Sequence, residues 1–74
     1  MRILFHSGDG RTVRVRFDLR DKIEELAPCI AFNLGMPTNK KYGVFNITGG
    51  YFSAAVVWGD LVPTCEYRLY PIRD

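Results

Sequence analysis

Of the two side-chain types most often used for nucleophilic, acid–base and metal chemistry at neutral pH, histidine and cysteine, this 74-residue chain has few: one histidine, His6, and two cysteines, Cys29 and Cys65. A zinc site needs clustered nitrogen or sulfur ligands, and His6 has no second imidazole to join it. Neither cysteine has a neighbouring histidine in the sequence to take its proton, so neither reads as an activated nucleophile. Ser7-Gly8-Asp9-Gly10 carries two glycines, but a phosphate-cradling loop leads directly into a helix, and a strand pattern follows here. The sequence therefore predicts no catalytic residue, no metal, no cofactor and no enzyme activity. What remains is recognition, carried by arginines and aromatic side chains.

Composition sets the frame for those residues. Hydrophobic residues make up 47% of the chain and charged ones 24%, the balance of a folded globular domain rather than a disordered tail. The length holds one small core, so the whole chain is read as a single domain, stable on its own by a narrow margin. A formal net charge of +2 is too small to make nucleic acid or an anionic membrane the expected partner. No apolar run approaches the roughly 20 residues of a membrane span, and Met1-Arg2-Ile3 enters a strand pattern rather than a signal peptide. Two cysteines far apart in a core-rich chain read as reduced thiols, which implies a cytoplasmic or nuclear protein, monomeric as an isolated domain.

The elements that must position the recognition residues follow from periodicity. Residues 2 to 6 alternate, with Ile3 and Phe5 on one side; residues 12 to 17 alternate again, with Val13, Val15 and Phe17 inward and Arg14 and Arg16 outward. The Gly8-Asp9-Gly10 turn joins them into a hairpin with one apolar face. From Asp21 to Leu34, Ile23, Leu26, Ala27, Ile30 and Leu34 recur at helical steps, with Asp21 placed to cap the start and Gly35 and Pro37 to stop the end. Pro28 lies inside that pattern and predicts a kink or a helix shortened to one side of it. Residues 42 to 47, 51 to 52 and 66 to 70 read as three further strands, the last closed by Pro71. The order β-β-α-β-β-β places the chain in the α+β class, with a mixed sheet of four to five strands crossed by one helix.

In that order, the chain resembles the ubiquitin-like family. Matching residues are Met1, Ile3, Gly10, Thr12, Asp21, Ile23, Glu24, Ile30, the pair Gly35 and Pro37, Phe45 and, in the last strand, Leu69. The resemblance implies the ubiquitin-like β-grasp, in which the first and last strands pair in parallel at the centre of the sheet. It implies further a module that binds other proteins of the ubiquitin pathway. The chain departs from the conjugated modifiers of the family, since residues 70 to 74, Tyr-Pro-Ile-Arg-Asp, stand where those end in Gly-Gly. The expected role is thus a non-enzymatic, unconjugated interaction domain at the amino end of a larger protein, with a modifier truncated before its Gly-Gly as an alternative.

Two surfaces are candidates. The family's apolar patch on the outer sheet face falls on Gly8, Val44, Arg68 and Tyr70, and arginine and tyrosine are types that concentrate binding energy at interfaces. The second is basic: Arg14 and Arg16, with Arg11, Arg20 and Lys22 nearby, occupy the strand that Ras-association and FERM-type subdomains of the same fold offer to an acidic small GTPase. Arginine's planar fork suits carboxylates there, although alternating charge also protects a plain edge strand from aggregation. The apolar stretch from Phe52 to Trp58 is a third feature, read as added strand and core, or else as a docking site for Val57 and Trp58.

Overall fold

The structure is a computed structural model, and it describes residues 2 to 72. Five strands, β1 (Ile3–His6), β2 (Thr12–Val15), β3 (Tyr42–Asn46), β4 (Tyr51–Phe52) and β5 (Glu66–Pro71), form one mixed sheet in the order β2-β1-β5-β3-β4. One helix, α1 (Ile23–Asn33), crosses it, and a short 3-10 turn at Trp58–Asp60 precedes β5. This is the α+β β-grasp arrangement. β1 and β5 run parallel at the centre, Phe5 opposite Tyr67, because Ile3, Phe5, Tyr67 and Leu69 all bury their side chains in the core.

The helix ends at Gly35 as its sequence reading expects but differs from that reading at its start and at Pro28. Asp21 does not cap it. Lys22 takes the N-cap position with no side-chain bond, while the Asp21 carboxylate accepts from the Asp18 amide and closes the preceding turn instead. α1 also continues through Pro28 to Asn33, so the helix is not shortened to one side of the proline. The missing amide bond is tolerated because Ile23, Leu26, Ala27, Ile30 and Ala31 are all buried on both sides of it, and packing outweighs the local cost. At the other end the Met36 amide donates to the Ala31 carbonyl and the Gly35 amide to the Phe32 carbonyl. That paired closure requires a left-handed residue, supplied by Gly35 at φ 73°.

In the stretch from Phe52 to Trp58 the reading as strand and core holds at Phe52, which is in β4, and at Trp58, where docking fails. Trp58 is fully buried, stacked at 5.9 Å on Phe5 and met nearly at right angles by Phe17 at 5.4 Å. Its indole N–H has no hydrogen-bond partner. Trp58 is thus core, held by its own amide donating to the Asp21 carbonyl and by a bridge between Lys22 and Val57. Phe52 and Val56 stay exposed.

Ile30→Ala is expected to cost about 2–5 kcal/mol and Trp58→Ala about 3–5 kcal/mol through lost burial and unfilled volume. Trp58→Phe is expected to cost less than Trp58→Ala, because it keeps a ring against Phe5 and removes an unpaired donor. Pro28→Ala restores an amide donor and is expected to stabilise, by up to the roughly 3 kcal/mol that an interior proline costs a helix. Urea denaturation followed by circular dichroism measures all four.

Candidate functional site

Side chains alternate between the two faces of a strand, so β3 decides what the outer face presents. Tyr42, Val44 and Asn46 are buried, and Gly43 and Phe45 lie on the other side. Val44, with only 5% of its surface exposed, belongs to the core and is not part of an outer patch. Likeness to the ubiquitin-like family puts this position outward; shifting the alternation by one residue exchanges every side chain between faces. Gly8 sits in the β1–β2 turn, where an added Cβ would meet nothing within 4 Å.

Arg68 and Tyr70 do face outward, and they are joined by two residues the sequence reading did not place there, Phe45 and Phe52. In register, Phe45 lies opposite both Arg68 on β5 and Phe52 on β4. The three rings form a chain of edge-to-face contacts, Phe45 to Phe52 at 5.0 Å and Phe52 to Tyr70 at 5.0 Å. The Arg68 guanidinium lies 5.7 Å from the centre of the Phe45 ring, within the range of a cation–π contact. Phe52 remains 66% exposed and Tyr70 is half-buried. A free, ordered aromatic group with an arginine on it is the feature of the outer face that resembles an interface anchor.

Two local devices hold the group in place. Buried Asn46 accepts from the Gly49 amide at 2.8 Å and donates to the Tyr51 hydroxyl at 3.1 Å, which ties the β3–β4 hairpin and sets Phe45 opposite Phe52. Gly43 supplies the floor beneath Tyr70. A Cβ on Gly43 would come within 2.3 Å of the Tyr70 ring, so the ring reaches across bare backbone to Phe52. A sequence signal for the pair existed: Phe45 and Phe52 lie symmetrically about residues 48 and 49, between the strands that flank the Gly49-Gly50 turn.

The basic residues lie on the same face. Arg14 is exposed and opposite Leu4 on β1; Arg16 is exposed just past the end of β2, itself an edge strand. Between them and the rings, His6 Nε2 lies 2.8 Å from a carboxylate oxygen of Glu66. Asp9, in the hairpin turn, is held below the usual carboxylate range by a hydrogen bond from the Ser7 hydroxyl, while burial pushes the Tyr67 phenol up. Among the described residues no three His, Cys, Asp or Glu side chains gather as a metal site, and no helix is long and apolar enough to cross a membrane. Cys29 and Cys65 are both free.

No model of a known protein family matches the chain, and no curated protein is significantly similar to it.

Gly43→Ala keeps a backbone conformation that alanine also adopts, yet its methyl occupies the space of the Tyr70 ring. The expected result is a displaced Tyr70: its ring-proton shifts and those of Phe52 move in a nuclear magnetic resonance spectrum, while the α1 amide shifts stay put. Unchanged Tyr70 and Phe52 shifts would contradict the packing described.

Proposed function

We propose that this chain is a non-enzymatic, ubiquitin-like protein-interaction module, part of a larger protein, that recruits a partner through the outer face of its sheet. The observation that carries the reading is the Phe45, Phe52 and Tyr70 group with Arg68 against it, on the face turned away from the helix. Aromatic and arginine side chains are enriched among the few that dominate binding energy, and these are held in one arrangement before any partner arrives. Prior ordering reduces the entropy lost on association. The β-grasp strand order and the residue matches with the ubiquitin-like family support the module's class. A cytoplasmic or nuclear setting and ubiquitin-pathway partners go with that class.

A second reading has its own observation. β2 is an edge strand, with Arg14 and Arg16 exposed beside its open side, the surface a Ras-association or FERM-type subdomain offers to an acidic small GTPase. The two readings separate by salt and by substitution. Rim arginines act mainly on association rate and are screened, whereas packed rings are not.

A photoreactive phenylalanine analogue placed at Phe52 is expected to cross-link a partner in cell extract. The same analogue at Phe32, exposed on the helix, is expected to give none. Phe52→Ala should weaken the captured partner by more than about 1 kcal/mol with the thermal unfolding midpoint nearly unchanged. Cross-linking from Phe32 alone would overturn the proposal.

A further inference from the structure

Resting on the outer-face reading, we infer that the partner is an acidic segment with an apolar anchor: the anchor packs on Phe52 and Tyr70, and its carboxylates reach Arg14 and Arg16 across the sheet. Charge on this molecule is unevenly placed. Arg14 and Arg68 stand on the outer face by register, and extending the β1–β2 pairing past Ile3 and Val15 sets Arg2 opposite Arg16. All four are exposed. Against these four positive charges the outer strands carry one acid, Glu66, already engaged with His6. The other acids of the described residues lie in turns, on α1 or in the 3-10 turn: Asp9, Asp18, Asp21, Glu24, Glu25 and Asp60. The outer face is thus more positive than the chain's net charge of +2 suggests, and complementary charge selects a partner as well as speeding its arrival.

The sheet fixes the spacing such a segment must have. From β2 to β4, which carries Phe52, the strand order takes four steps, through β1, β5 and β3, and neighbouring strands are about 4.8 Å apart, so Arg14 and Phe52 stand on strands about 19 Å apart. A segment laid across the strands in extended form covers that in about six residues. Half-buried Leu4 lies along the way, opposite Arg14, and offers apolar contact between the two ends. Single-stranded nucleic acid would also meet arginines and aromatic rings, but it binds by stacking bases on free ring faces. Here the rings meet edge to face and Arg68 lies over Phe45, so they offer no row of parallel faces for successive bases, which favours a peptide.

The test is a selection from a random-peptide display library on the immobilised chain. The strongest peptides are then titrated against the parent protein, Phe52→Ala, and the Arg14→Ala, Arg16→Ala pair, at low and high salt. The expected peptides carry two or more Asp or Glu about six residues from an aromatic or aliphatic residue. Their affinity should fall at least about tenfold in either variant and decline with salt. Peptides without acids that depend on Phe52 and not on the arginines would overturn this inference and leave the outer-face reading standing. Peptides indifferent to Phe52 and to the arginines, or no enrichment at all, would overturn both. A labelled oligothymidylate binding more tightly than the best peptide, with loss in both variants, would likewise overturn the acidic-peptide inference.

Discussion

The parallel pairing of β1 with β5 is the contact on which the other elements depend. It joins the two ends of the chain at the centre of the sheet, so every other element is closed into a loop between them. Loop closure of that length costs entropy that only buried apolar surface can offset. The surface is supplied at one spot: Phe5 meets Trp58 on one side and Tyr67 at 6.0 Å on the other, with α1 above. Burial of Trp58 therefore explains why the stretch before β5, short of regular structure, still follows a fixed path. It is pinned to the start of the helix by backbone bonds from Trp58 to Asp21 and from Ile23 to Val56.

A fixed inner face imposes an outer one. Once Tyr42, Val44 and Asn46 point to the core, Phe45 has to point away from it, and the hairpin tied by Asn46 brings Phe52 beside it. Exposed aromatic side chains are not required by folding at these positions; the core is complete without them. Their presence, packed in an ordered group next to a run of arginines, is the link from architecture to recognition.

Much of this was legible in the residues themselves. The pairing of β1 with β5 followed from likeness to the ubiquitin-like family; five strands, their alternation and the helix were readable because burial imposes periods of two and 3.6 on the sequence. The arginines of β2 were readable for the same reason. Val44 was misplaced because position was inferred from likeness to a family, and likeness carries no safeguard against a one-residue shift in a short strand. Phe45 and Phe52 were missed because their contact crosses a hairpin, and Gly43 because its role is to leave space for a side chain 27 positions further on. Asp21 looked like a helix cap by type, but the local turn from Asp18 competed for its carboxylate.

The most direct test of the account is where a bound partner touches the sheet. Intermolecular nuclear Overhauser effects, measured on the isotope-labelled chain with an unlabelled bound peptide, report proton contacts without any substitution in the protein. The account predicts contacts from the partner to the ring protons of Phe52 and Tyr70 and to the side chains of Leu4 and Arg14. Contacts confined to the helix, at Glu25, Cys29 or Phe32, would contradict it.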